Sequence, residues 1–171
     1  SSGKVSGLSF ADEDILAYNL TTGDWSLFFD GSDVGLAKTD LDAFMLTNDG
    51  NLLLSLGAMT HLPDVGWVDD SDIVKFVPTS LGATTRGRFE IYFDGSDVGL
   101  TTANEDVDAF ALAPDGRLIV STLGSVSVPG MSGKDKDLLA FQPDRLGTDT
   151  RGQWALYFDG SDVGLTNGDE D

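Results

Sequence analysis

Phe29-Asp30-Gly31-Ser32-Asp33-Val34-Gly35-Leu36 is an octapeptide that recurs without a change, beginning again at Phe93 and at Phe158. The three copies are almost evenly spaced along the chain, a regularity that chance does not produce. Self-similarity at a fixed period is typical of proteins that build one supersecondary unit several times. The octapeptide therefore predicts a repeat fold.

A shorter pattern recurs about twice in each long repeat. It consists of Asp, an apolar residue, any residue, Ala or Lys, and an aromatic residue. Its copies begin at Asp14, Asp40, Asp72, Asp106 and Asp137. The long repeat is thus made of two related halves of similar length.

Each half predicts a β-hairpin. A short apolar strand runs into a turn such as Ala113-Pro114-Asp115-Gly116, and a second strand follows. Asp-Gly between alternating apolar residues is a strong hairpin signal. We therefore expect a single all-β domain over residues 1–171 with ten strands. Its five hairpins are predicted at residues 12–36, 40–57, 70–100, 104–124 and 135–165.

The strands alternate between an apolar face and a mixed face, as expected for a sheet packed on a single core. The large residues of the apolar face include Tyr18, Trp25, Phe44 and Trp154. Ten such strands favour a closed up-and-down, barrel-like meander, which leaves no free sheet edge. The alternative is a β-propeller-like fold with four-stranded blades. One chain would then supply 2.5 blades, and a homodimer would close a ring of five.

Composition excludes several classes of function. The chain has no Cys and a single His, so disulfides, thiolate sites and His-rich zinc sites are excluded. Its 25 Asp and 4 Glu against 10 basic residues produce a formal net charge of −19. That charge disfavours nucleic acid and anionic membrane surfaces as partners. No apolar run has the roughly 20 residues of a membrane-spanning helix, so membrane insertion is not expected.

The aspartates are the main functional signal. In a meander, hairpin tips lie on one rim and the loops between hairpins on the other, and the acid-rich loops share the second rim. Pairs of carboxylates in Gly-bearing loops can wrap Ca²⁺, with carbonyls completing six to eight oxygen ligands. No other cofactor is expected. The predicted metal ligands are Asp30, Asp33, Asp40, Asp42, Asp94, Asp97, Asp106, Asp108, Asp159 and Asp162, and Asp169 and Asp171 extend the same rim.

A plainer interpretation of the same aspartates is open as well, and the low specificity of the spacing favours it. Asp starts turns and keeps sheet edges soluble, and a repeat copies a structural Asp as faithfully as a ligand.

Two residues break the repeat, His61 and Trp67, and the loop that holds them is a candidate ligand loop. Paired carboxylates also serve glycosidases, but an active site should interrupt the repeat at one place. No catalytic residue is therefore predicted.

The octapeptide and the shorter Asp-to-aromatic motif resemble repeat segments of large secreted bacterial proteins of unassigned function. The resemblance covers nearly the whole chain and implies an extracellular or cell-surface setting rich in calcium. The sequence thus predicts a non-catalytic structural or binding module with an unidentified protein or glycan partner. The alternatives are a carbohydrate-binding module or carbohydrate-active enzyme, and a self-assembling propeller fragment.

Overall fold

The fold was obtained as a computed structural model, which describes residues 2–165. Asp169 and Asp171 of the predicted rim lie outside the described residues. Sixteen strands are present in the described part, and no helix there is long and apolar enough to cross a membrane. The strands are β1 (Gly3–Val5), β2 (Leu8–Phe10), β3 (Ile15–Tyr18), β4 (Trp25–Phe29), β5 (Leu41–Leu46), β6 (Leu52–Leu56), β7 (Thr60–Leu62), β8 (Gly66–Val68), β9 (Ile73–Ser80), β10 (Arg86–Phe93), β11 (Ala109–Leu112), β12 (Leu118–Ser121), β13 (Val126–Val128), β14 (Met131–Gly133), β15 (Leu138–Arg145) and β16 (Arg151–Phe158).

Ten of these strands form three antiparallel sheets in chain order. β3 and β4 pair as the first sheet. The middle sheet has the order β5-β6-β9-β10, and the last sheet has the order β11-β12-β15-β16. The all-β, antiparallel character predicted from the sequence is confirmed. A closed barrel is not found among residues 2–165, because each sheet ends after two or four strands instead of pairing with the next.

The six remaining strands form three small hairpins that the sequence did not predict. They are β1-β2, β7-β8 and β13-β14, each a separate two-stranded sheet. The second and third of them lie inside the loops that join β6 to β9 and β12 to β15. Each strand has only three residues, too few to display an alternating apolar pattern.

Two hydrophobic cores are present, one at each junction between consecutive sheets. The first core combines Phe29 of the first sheet with Leu52, Leu54 and Phe76 of the middle sheet. The second core combines other residues of the middle sheet, including Leu53 and Phe93, with Phe141 and further residues of the last sheet. The expectation of a single core is therefore wrong. All residues of β6 and β12 are buried, which is typical of strands covered on both faces.

The assignment of residues to a buried face fails at the margins of the sheets. Phe44 on the edge strand β5 is 52% exposed, and Tyr18 and Trp25 of the first sheet are 48% and 38% exposed. The polar residues Lys75 and Glu90 form a cross-strand ion pair at 2.9 Å. That pairing lets both charges remain at the partly exposed edge of the middle sheet.

Candidate functional site

Each octapeptide forms a tight turn at the end of the last strand of its sheet, which is β4, β10 or β16. We call residues 29–36, 93–100 and 158–165 the first, second and third octapeptide turns. In the second turn, the Leu100 N–H donates to the Gly95 carbonyl, and Gly99 closes a short 3-10 helix at φ 100°. A Cβ on Gly95 would lie 2.3 Å from the Ser71 carbonyl oxygen. Backbone geometry and close approach therefore explain why both glycines recur.

An aspartate of the shorter motif, buried in the second and third turns and half-buried in the first, holds each turn from within its own sheet. Asp72 accepts hydrogen bonds from the Gly95 N–H at 2.9 Å and the Asp69 N–H at 2.9 Å. Asp14 and Asp137 make the equivalent bonds to Gly31 and Gly160. Burial raises the pKa of Asp72 to about 6. The hydrogen bonds to the turn explain why the shorter motif begins with Asp in the hairpins that end in an octapeptide.

The first two octapeptide turns also bind a loop from the following sheet. We call residues 81–86 and 146–151, at the tips of β9-β10 and β15-β16, the Leu-Gly loops. Asp94 donates its N–H to the Thr150 hydroxyl at 3.0 Å, and the Thr150 N–H donates to Asp97 Oδ2 at 2.8 Å. Gly147 adds a backbone bond to the Tyr92 carbonyl at 2.9 Å.

The junction between the first and middle sheets repeats these contacts. The Asp30 N–H donates to the Thr85 hydroxyl at 2.9 Å, and the Thr85 N–H donates to Asp33 Oδ2 at 2.8 Å. Thr85 and Thr150 are each only 1% exposed. Four of the predicted metal ligands, Asp30, Asp33, Asp94 and Asp97, thus take part in contacts between sheets.

The placement of tips and acid-rich loops on opposite rims is wrong at these junctions. The tip of one hairpin reaches the acid-bearing turn of the preceding sheet, because consecutive sheets face each other instead of lying side by side. The third turn, with Asp159 and Asp162, keeps the same form, but no Leu-Gly loop of the described chain lies on it, since both are bound to the first two turns.

A second group of predicted ligands meets where the middle and last sheets adjoin. We call Asp42, Asp69, Asp70, Asp106 and Asp108 the acidic cluster. Val107 donates its N–H to the Asp70 carbonyl at 3.2 Å, and the Ser55 hydroxyl bonds to the Val107 carbonyl. These bonds bring the acidic segments of two sheets together. Asp40 lies beside Asp42 and holds Gly57 through its carbonyl at 3.0 Å.

Burial and the repulsion from neighbouring acids favour the protonated form of Asp42 and Asp106 in the acidic cluster. Burial, together with the charges of Asp42, Asp70 and Asp108, raises the pKa of Asp106 to about 7. Partial burial and the charges of Asp40 and Asp108 raise the pKa of Asp42. Asp106 is 8% exposed, and its Oδ1 atom has no hydrogen-bond partner. Among residues 2–165, no three acidic or histidine side chains converge as ligands for one metal ion.

The candidate ligand loop forms the small hairpin β7-β8. His61 and Trp67 are directly opposite each other on the two strands, with ring centroids 5.2 Å apart at 84°. Trp67 is 70% exposed, and Met59 beside this hairpin is 62% exposed. The two residues that break the repeat therefore lie together on the surface.

Sequence reasoning missed the Leu-Gly loops. Leu81, Gly82, Thr85 and Arg86 recur one long repeat later as Leu146, Gly147, Thr150 and Arg151, so the signal was present. It also missed Glu105, a buried carboxylate that accepts hydrogen bonds from the Thr101, Thr102 and Ser127 N–H groups, which lower its pKa despite burial. A repeat comparison would have pointed to it, because Glu105-Asp106 recurs one long repeat later as Glu170-Asp171.

The arginines of the hairpin tips are largely paired with neighbouring acids. Arg145 and Arg151 both contact Asp149, at 2.7 and 2.9 Å, and Arg117 contacts Asp115 at 2.8 Å. Exposed pairs of this kind contribute little to stability.

Comparison with known proteins returned no relative. No protein-family model matches the chain, and neither the curated proteins nor the solved structures include a match.

We expect Thr150→Val to destabilise the protein by about 1–3 kcal/mol, because the Asp94 N–H loses its acceptor in a mostly buried junction. For a chain of this size, each kcal/mol lowers Tm by roughly 2–4 °C. Thr150→Ser retains the hydroxyl and is the matched control. Thermal melts of the three proteins measure the effect. A loss confined to Ser, with Val as stable as the parent, would assign the role to the methyl group, which Val retains, and contradict the hydrogen-bond account.

We expect Asp106→Asn to stabilise the protein at high pH and not at low pH. The pKa of Asp106 in the folded protein, about 7, exceeds its ordinary value of 3.8. The stability that protonation contributes is complete below pH 3.8 and is lost as pH rises through about 7. Melts in EDTA at pH 4, 6 and 8 should therefore show a Tm gain for Asp106→Asn that grows with pH. Exposed Asp115→Asn should show no such gain, and a pH-independent difference for Asp106→Asn would contradict the raised pKa.

Proposed function

We propose that the chain is a non-catalytic structural or binding module of an extracellular or cell-surface protein. The observation that carries the proposal is the use of the repeated octapeptide. Asp33 and Asp97 bind the following sheet through the buried Thr85 and Thr150 N–H groups. The most repeated polar residues of the chain thus serve cohesion between sheets, as expected of a scaffold.

A propeller-like arrangement agrees better with this role than a barrel. The middle and last sheets each contain four strands in chain order, the pattern of a propeller blade, and the first sheet contains two. Consecutive sheets meet face to face through the two hydrophobic cores. On this proposal the chain supplies two and a half blades, and closure into a five-bladed dimer remains the self-assembly alternative.

Calcium binding at the acidic cluster is the finer part of the proposal. Asp106 is more than nine-tenths buried, its Oδ1 lacks a hydrogen-bond partner, and its neighbours in the cluster are all acids. A hard cation would neutralise this repulsion and accept oxygen ligands from the carboxylates and from loop carbonyls. Binding would require the side chains of Asp42, Asp70 and Asp106 to turn toward a common point.

Thermal melts in EDTA, in millimolar Ca²⁺ and in millimolar Mg²⁺ test the calcium proposal. A ligand at 100 times its Kd stabilises a protein by about 2.7 kcal/mol, or roughly 5–10 °C in Tm here. We expect a rise with Ca²⁺ that exceeds the rise with Mg²⁺ and is lost in Asp106→Asn. Asp162→Asn is the matched control, since its side chain lies outside the acidic cluster, and it should retain the response.

Two outcomes would contradict calcium binding at this position. An equal, small rise with both cations would mean that they only screen the net charge. A Ca²⁺-specific rise that survives Asp106→Asn and disappears with Asp162→Asn would place the cation at the octapeptide turns. Neither outcome would affect the proposed role as a structural module, which rests on the contacts between sheets.

A second candidate function is carbohydrate binding at the small hairpin β7-β8. Trp67 presents most of its indole ring to solvent, with His61 beside it and Met59 nearby. Exposed aromatic rings are suited to stacking against the apolar face of a sugar.

Under this alternative, a panel of soluble polysaccharides should quench tryptophan fluorescence, and Trp67→Ala should abolish the quenching without changing Tm. The matched control is Ser132→Ala, because Ser132 occupies the corresponding position in the hairpin β13-β14. Quenching that persists in Trp67→Ala, or its absence for every polysaccharide, would count against carbohydrate binding at this hairpin.

A further inference from the structure

The outer face of the last sheet is exposed where the corresponding face of the other sheets is covered. Phe29 and Phe93 are both fully buried at the junctions, whereas Phe158, at the same position of the octapeptide, is 36% exposed. Val98 is 8% exposed and its counterpart Val163 is 64% exposed. The same residue types therefore line an interface twice and face solvent once.

An apolar hollow of about 160 Å³ continues this exposed face. It is lined by Ala111, Ile119 and Leu138 among others. Ile119 and Leu138 correspond to Leu53 and Ile73 of the middle sheet, which are completely buried beneath the last sheet. The hollow thus coincides with the part of the face that a neighbouring sheet fills at the preceding junction.

The third octapeptide turn already has the conformation that binds a Leu-Gly loop. Leu165 donates its N–H to the Gly160 carbonyl at 3.0 Å, and Gly164 is left-handed at φ 92°. The second turn makes the same bond at 2.9 Å and has Gly99 at φ 100°. No rearrangement of the backbone is needed before a loop binds.

The polar groups that bind the loop are also available. In the second turn, the Asp94 N–H and Asp97 Oδ2 bond to Thr150. Their counterparts in the third turn are the Asp159 N–H and Asp162 Oδ2, and within residues 2–165 neither has a threonine partner. Asp162 is exposed and lies outside the acidic cluster.

An aromatic contact accompanies the Leu-Gly loop at each of the first two turns, and within residues 2–165 the third turn lacks the second ring. Phe29 packs on Phe76 at 5.2 Å and 80°, and Phe93 packs on Phe141 at 5.3 Å and 73°. Both partners lie on the third strand of a four-stranded sheet. Phe158 is positioned for a third contact of this kind.

We infer that the outer face of the last sheet, together with the third octapeptide turn, binds a further four-stranded sheet of the middle-sheet type joined in tandem to this chain. The occupant must carry a Leu-Gly-x-x-Thr loop for Asp159 and Asp162, and a Phe for Phe158. This inference depends on the contacts between sheets and is independent of calcium.

A second folded copy of the chain is a poorer occupant. Both of its Leu-Gly loops are already bound to its own first and second turns. Its first sheet has only the short tip of residues 19–24 in place of such a loop, closed by a bond from the Gly23 N–H to the Asn19 carbonyl. That tip has no buried threonine with which to reach Asp162.

The test is an extended protein in which a copy of residues 107–165 is fused after Asp171. We expect Asp162→Ala to change the Tm of the parent chain by less than about 2 °C, as for an exposed substitution. In the extended protein, the same change should lower Tm by as much as Asp97→Ala lowers it in the parent. Hydrogen exchange should show the Asp159 amide protected in the extended protein and rapidly exchanging in the parent.

The matched control is an extended protein whose added copy carries the Thr150→Val change, which removes the hydroxyl that accepts from the Asp159 N–H and keeps the backbone N–H that donates to Asp162. The Asp159 amide should then lose its protection, while the effect of Asp162→Ala should persist. A second extension, with a copy of residues 41–100, guards against failure of one particular sequence. The inference is overturned if both added copies stay disordered while the parent part melts at its original temperature. It is also overturned if Asp162→Ala has the same effect with and without the extension. Dimerisation of the parent that Phe158→Asp abolishes would instead assign the face to a second copy.

Discussion

The contact between an octapeptide turn and the Leu-Gly loop of the following sheet is the interaction on which the rest of the molecule depends. A buried threonine accepts from the N–H of one aspartate and donates its own N–H to the carboxylate of another, so four polar groups are satisfied at once. Beside it, two phenylalanines meet edge to face. Polar pairing sets the position of the two sheets, and apolar burial supplies most of the favourable free energy.

This mode of packing also explains the charge distribution. Because consecutive sheets face each other, the segment that precedes β9 lies beside the segment that precedes β11, where the Val107 N–H donates to the Asp70 carbonyl. A repeat that copies an aspartate at this position therefore brings carboxylates together. Burial and this crowding raise the pKa values of Asp42 and Asp106, whereas burial and the adjacent Asp69 raise that of Asp70. A net charge of −19 adds to the repulsion, which a bound cation or protonation relieves.

The two ends of the sheet series differ in what they offer a neighbour. The first sheet presents the exposed pair Tyr18 and Trp25, 4.9 Å apart, and a short tip without a threonine loop. The last sheet presents a preformed octapeptide turn and an apolar hollow. The series is therefore directional, and its last sheet can receive another sheet through contacts that the first two junctions already use.

The sequence by itself determined the ten strands of the three larger sheets, since alternating apolar residues and Asp-Gly turns are local signals with a period that can be counted. It also determined which residues recur, including every aspartate of the predicted metal set. Only the tertiary structure decided how the sheets meet, because a strand buried on both faces and a strand of a barrel with one core have similar apolar content. The same decision separated the aspartates into two groups, with Asp33 and Asp97 bonded between sheets and Asp42, Asp106 and Asp108 crowded in one cluster. Spacing along the chain carries no record of that division, since it arises from which segments of different sheets come into contact.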